Sequence, residues 1–215
     1  MQCHSPGSHV TRHSGAYAAH VHRLDTWMAM AVHRHPGVVP CRAGCSKCCH
    51  GPFDISAADA EMVREAVAAL PEAERRDVEQ RARAQTAHYH RQLPTWEPPY
   101  DVGEMGEDAF DALCRTLAAE PCPCLDPAGR CRIYESRPVV CRLIGLPLET
   151  PSGGIIENHC PIKDEFPAYA ALPPQPFDLE AFELEDALLV RKAARRLGVS
   201  ATFETTVAGA IVGRD

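Results

Sequence analysis

The sequence predicts a mainly helical chain with a small β-hairpin, in which irregular cysteine-rich loops pack on the helices. Three observations lead there. Apolar residues recur at helical spacing in several segments bounded by capping residues. The strongest strand signal is a pair of short apolar runs on either side of Pro151-Ser-Gly-Gly154. Finally, nine of the eleven cysteines crowd into 41–49 and 122–160, stretches that carry neither pattern.

The elements follow in chain order. Residues 1–14 are polar and His-rich, broken by Pro6 and Gly7, and read as a mobile arm. A helix is expected over 16–34, stopped by Pro36-Gly37, which leads into Cys41-Arg-Ala-Gly-Cys45-Ser-Lys-Cys48-Cys49-His50-Gly51. Ser56 then caps a helix to about Leu70, with Met62, Val63, Ala66, Val67 and Leu70 on one face. Pro71 suits the first turn of a further helix over 72–92, which has few large apolar residues and is expected at the surface. The prolines and glycines of 94–108 form a flexible loop, and a short helix over 109–119 follows. Beyond the second cysteine group, Leu143–Glu149 and Ile155–Asn158 form the hairpin that returns Cys160 beside Cys141. A last helix over 178–197 packs through Leu179, Phe182, Leu188 and Leu197 and ends at Gly198. The organisation expected is an arm and helix over 1–36, a cysteine-cluster domain over 37–165, and a helical extension over 166–215 packed on it.

Composition narrows the function classes. At 215 residues the chain suits one ordinary domain with tails. A formal charge of -7 opposes nucleic-acid binding, which draws on basic stripes that displace counterions from phosphates. No stretch approaches the length of a membrane span. The start of the sequence has no basic and apolar leader pattern, and an odd cysteine count fits full disulfide pairing poorly. Reduced thiols in the cytoplasm are therefore expected.

Thiols at this density read as metal ligands. A soft or borderline metal needs several sulfurs converging at about 2.3 Å, and close pairs supply them at little cost in chain entropy. Cys45-x-x-Cys48 is such a pair; Cys41 lies one turn upstream, and Gly44 lets the backbone bend. Cys49 points away from Cys48 in most backbone conformations, so adjacent cysteines suit two metals or a multinuclear cluster. From Cys122 to Cys160 the successive cysteines are separated by one, six, nine and eighteen residues, which is no ordinary zinc-finger spacing. Arg42, Lys47, Arg130, Arg132, Arg137 and Arg142 are interleaved with the cysteines and are expected to hydrogen-bond sulfur. The bland alternative, that these are buried small hydrophobes, wins for isolated Cys3 and Cys114 and leaves Cys124 open.

Cys-x-x-Cys-Cys at 45–49, the run Cys122-Pro-x-Leu-Asp-x-x-Gly-Arg-Cys131-x-Ile-Tyr-Glu-x-Arg-Pro-x-x-Cys141-Arg, and Cys160 together resemble the YkgJ-like cysteine-cluster family of zinc- or iron-chelating domains. The resemblance covers about 37–165. It implies metal ligation by Cys41, Cys45, Cys48, Cys49, Cys122, Cys131, Cys141 and Cys160, with zinc or an iron-sulfur cluster as the group bound. Eight ionised thiolates carry about eight negative charges, more than one divalent ion balances. Two departures stand out: three residues, not two, separate Cys41 from Cys45, and Cys124 stands where the family usually has an apolar residue.

The eleven histidines read mostly as solvated surface, His4, His9 and His13 in the arm and His88 and His90 on different faces of a helix. His50 and His159 adjoin cluster cysteines and remain candidate ligands. Tyr134, Glu135 and Arg137 are read as a turn held by a Glu-Arg pair. No P-loop, nucleophile elbow or HExxH helix is present. Two classes stay open: a metal-storing, metal-sensing or scaffold protein, and an enzyme whose cluster serves redox or methyl-transfer chemistry. The second is implied by resemblance to the cysteine module of flagellin lysine N-methylases. The metal is the one partner the sequence names.

Overall fold

A computed structural model describes residues 14–42 and 44–213, and its architecture is mainly helical with two very small sheets. The arm expected at the N-terminus, with Cys3, His4, His9 and His13, lies outside the described residues apart from Ser14. That serine is buried, and its Oγ donates to Glu65 Oε2 at 2.6 Å.

Helix α1 (Gly15–Arg34) buries Tyr17, Val21, Leu24, Trp27 and Ala31 along one stripe, at the 3–4 residue spacing of a helix face. Ser56 caps α2 (Ala57–Ala68) as expected: its side chain accepts from the Asp59 N–H. Helix α3 (Glu72–Gln92) is polar but not merely superficial, since Val78, Ala82 and Tyr89 are buried under it. The loop after it is packed as well, with Trp96 and Val102 both buried and the Trp96 indole N–H donating to the Asp101 carbonyl at 2.9 Å. Helix α4 (Glu107–Thr116) precedes the second cysteine group, α5 (Val139–Leu143) lies inside it, and α6 (Pro167–Ala170) follows. Helix α7 (Leu179–Leu197) is capped by Asp178 and stopped by Gly198 at φ 71°, a left-handed position that favours glycine.

The hairpin forms where expected but is short: β2 (Leu148–Glu149) pairs antiparallel with β3 (Ile155–Ile156). Residues 143–147, expected to belong to the first strand, instead finish α5 and turn. Strand β4 (Gln175–Pro176) adds to β2 in parallel. A pairing not foreseen joins β1 (Asp54–Ser56) to β5 (Glu204–Thr206), and α8 (Val207–Val212) follows directly. Through it the C-terminal segment packs on α2 and α3, while α7 packs on α1 and α2. Leu188, expected in that packing, is 58% exposed; Leu179, Phe182, Ala193 and Ala194 form the buried side of α7.

The core is divided among several apolar clusters rather than one. One joins α1 to Leu146, Leu148, Cys160 and Tyr169; another joins α2, α3 and α8 to Cys124 and Ile133. Both cysteine segments are thus built into the packing between helices.

Candidate metal centre

Two backbone contacts place the first cysteine turn against the second. The Cys122 N–H donates to the Cys49 carbonyl at 2.9 Å, and the Gly51 N–H donates to the Glu120 carbonyl at 2.7 Å. His50 faces Pro121 between them as an isolated antiparallel bridge. Gly51, at φ 83°, reverses the chain beside Ala118, where its missing side chain permits close approach. Within each segment tight turns do the local work: Cys45 and Cys49 donate their N–H groups to the carbonyls of Arg42 and Ser46. The Asp126 carboxylate accepts from the N–H groups of Ala128 and Arg130, closing the loop that brings Leu125 opposite Cys131.

The thiols fall into an inner and an outer set. Cys49 hydrogen-bonds Cys48 and feels the charge of Cys141 and Cys122. Cys124 hydrogen-bonds Cys122 and feels that of Cys131 and Cys141. Cys41, by contrast, interacts with Cys160 and Cys45, and with Cys48 where the sets meet. Cys41 Sγ lies near Gly145 and the Tyr169 hydroxyl, and Tyr169 also hydrogen-bonds Cys160. The expected position of Cys160 beside Cys141 is therefore corrected: the short hairpin delivers it to Cys41, where Asn158 Oδ1 accepts its N–H at 2.9 Å.

Burial and mutual repulsion keep most of these thiols protonated in the absence of a cation. Burial, followed by the charge of its neighbours, pushes Cys41 up to about 11. Burial raises Cys131 to about 11 and Cys141 further still. Two sulfurs go the other way: the hydrogen bond from Cys49 lowers Cys48 to about 7, and the hydrogen bond from Cys124 lowers Cys122. Each of these two hydrogen-bonded pairs couples a sulfur disposed to ionise with one that holds its proton.

Among the described residues, no group of three or more Cys, His, Asp or Glu side chains is arranged to hold a metal ion as it stands. The donor chemistry nevertheless suits zinc or iron. Several sulfurs share one neighbourhood, and Arg81, whose charge favours the Cys122 thiolate, has its Nε shielded from solvent without a hydrogen-bond partner. Asn158 Nδ2, beside Cys160, is likewise buried and unpaired. Such N–H groups are the donors that metal-bound sulfurs accept from. Gripping an ion requires the thiols to turn inward.

Sequence reasoning put the interleaved arginines against sulfur, and the structure mostly puts them elsewhere. Arg142, fully buried, pairs with Asp25 of α1, and Arg137 pairs with the same carboxylate at 2.6 Å. Arg132 binds Asp77 at 2.6 Å and Arg130 binds Asp126 at 2.8 Å. Arg137 still favours the thiolates of Cys48 and Cys131 electrostatically. The expected Glu135–Arg137 pair is replaced: Glu135 offers its backbone carbonyl to Arg142, and Arg137 stacks over Tyr134 with 4.0 Å to the ring centroid. Asp25 was missed because its α1 position shows only an acidic residue on a helix. Cys114 stands apart from both sets and contacts the Pro52 carbonyl at 3.6 Å.

This arrangement defines a class, a helical protein carrying a thiol-lined metal-binding domain. The model of the CxxCxxCC family, described as a putative zinc- or iron-chelating domain, matches residues 40–161, more than half of the chain. The chain belongs to that family, and its metal is zinc or iron. No curated protein and no solved structure gives a match. No helix among the described residues is long and apolar enough to cross a membrane.

Proposed function

We propose that Cys41, Cys45, Cys48, Cys49, Cys122, Cys131, Cys141 and Cys160 chelate zinc or an iron-sulfur cluster. Residues 37–165 form the binding domain, and 166–215 form an extension packed on it, in a protein of the cytoplasm. The observation that carries this reading is the backbone join between Cys49 and Cys122, which makes neighbours of sulfurs 73 positions apart in sequence. Two thiol sets meeting at Cys48 suit more than one metal or a multinuclear cluster better than one ion. When bound, the metal supplies the cation that offsets repulsion among buried thiolates. The chain's own residues hold the sulfurs in place, exclude water from Cys124 and Cys160, and offer N–H groups from Arg81 and Asn158.

Purification of the full chain without oxygen, followed by metal analysis and a visible spectrum, tests the proposal. Brown protein with sulfur-to-iron charge-transfer absorption and acid-labile sulfide supports a cluster. Colourless protein with stoichiometric zinc supports the closed thiolate site. Protein that binds neither metal contradicts it.

A second reading, an enzyme working at the centre by redox or group-transfer chemistry, draws on one feature. A cavity of about 320 Å³ adjoins α5, lined by Tyr17, Asp59, Val139, Val140, His159 and Asp186 among others. His159 faces this cavity, next in sequence to Cys160. An enzyme requires such a space beside its metal, whereas a purely structural site does not.

A further inference from the structure

The thiol that the family pattern does not supply is Cys124, which stands at a position usually apolar. It is 1% exposed and packs among Ile55, Val63, Val67 and Ile133. A cysteine serving only as a small apolar filler needs no polar partner there. Cys124 has one, because its thiol donates to Cys122 Sγ. The backbone holds it in place from both sides: its carbonyl accepts from the Arg132 N–H at 2.9 Å, and the next residue, Leu125, bridges to Cys131. Cys131 and Cys141 are its other charged neighbours.

We propose that Cys124 is a metal ligand of the inner thiol set, alongside Cys122, Cys131 and Cys141, so that this chain offers one more sulfur than the family motif. The inference rests on the reading under Proposed function. Chemically it is an exchange: the metal forms a bond to Cys124 Sγ in place of the proton now shared with Cys122, and that proton leaves to solvent. No electron is transferred. Cys122 and Cys124, separated by Pro123 alone, form a close pair whose convergence costs little further chain entropy.

The test uses the full-length chain with cobalt(II) as the probe, titrated under anaerobic conditions against a competing chelator. Three variants are compared: Cys124→Val, Cys141→Val and Cys114→Val. Valine suits the apolar surroundings of Cys124, so a mere filler would be replaced with little effect. The expected result for Cys124→Val is cobalt affinity lower by at least ~10-fold, since even loss of a residue that only supports a ligand costs that much. Thiolate-to-cobalt charge-transfer absorption should fall with it, while Cys114→Val matches the wild type. Wild-type affinity and spectrum in Cys124→Val, with Cys141→Val impaired, overturn the inference and leave the broader reading standing. Unchanged binding in both, or no binding by the wild type, overturns both. If Cys124→Val does not fold, ¹¹³Cd-loaded wild-type protein decides. A correlation from the Cys124 Hβ protons to cadmium supports the assignment; its absence, with Cys131 and Cys141 correlations present, overturns it.

Discussion

Asp25 lies on α1 more than a hundred positions before the two arginines it holds, yet its carboxylate is shared by Arg137 and Arg142 on either side of the α5 start. Arg142 is 2% exposed and also donates to the carbonyls of Arg137 and Glu135. Removing the carboxylate strands a buried guanidinium, so Asp25→Ala is expected to lower unfolding free energy by about 3–5 kcal/mol in urea titration. A loss below about 1 kcal/mol, the size of a surface pair, would show that solvent already screens the pair. Asp59 gives a prediction with the opposite sign. Burial raises its carboxyl to about 6, against hydrogen bonds from Tyr17 and Val139 that pull it down. The folded state therefore binds this proton more tightly than the unfolded chain. Its contribution is fully present below about pH 4 and is lost as pH rises through about 6, on the order of 2–3 kcal/mol in all. Asp59→Asn keeps an acceptor for Tyr17 and cannot ionise. Its stability relative to wild type should rise between pH 4 and pH 8, and a pH-independent difference would contradict the assignment.

Helix α2 illustrates what local sequence signals convey. Ser56 caps it through the Asp59 N–H, and Ser56→Ala should cost about 1 kcal/mol, read as a lower thermal midpoint with α2 amides exchanging faster. A serine cap and apolar spacing are properties of a few neighbouring residues, so α1, α2, α3 and α7 are legible in the sequence to within a few positions. The Gly198 stop is legible for the same reason, because a left-handed position favours glycine. Strands β1, β4 and β5 are not, since runs of two or three residues carry no period and their pairing is settled by distant partners. Leu188 has the right chemistry and roughly the right spacing for the core but sits on the outer side of α7. The hairpin turn is readable from Pro151-Ser-Gly-Gly154, but strand length is not, and that difference moves Cys160 from Cys141 to Cys41. Of the candidate site, the cysteines are evident from density. Their division into inner and outer sets depends on how α5 and the hairpin pack, which no spacing reports.

For the molecule as a whole, metal and helices share the work of holding the fold. Structural zinc can contribute on the order of 10 kcal/mol to folding, and the sequence alone would have the whole of 37–165 unfold on chelation. Apolar clusters joining α1, α2, α3, α7 and α8 argue for a graded response instead. Hydrogen exchange after chelation should accelerate most in 44–51 and 121–142, with α2 and α7 largely protected. Equal loss across all helices would show that the metal is the nucleus of the entire fold. Uptake should also release protons, because burial and neighbouring charge hold Cys41, Cys131 and Cys141 as thiols. Apparent zinc affinity should therefore climb from pH 6 to pH 8, measured by competition with a chelator of known proton dependence.

Between Gly51 and Pro121 the polypeptide makes an excursion that leaves from and returns to one spot, where main-chain atoms fasten exit to entry. Because that fastening uses peptide groups, it does not depend on side-chain identity. Descendants of this chain are free to lengthen the detour around 103–106 or recolour its outer surface, provided its two feet stay together.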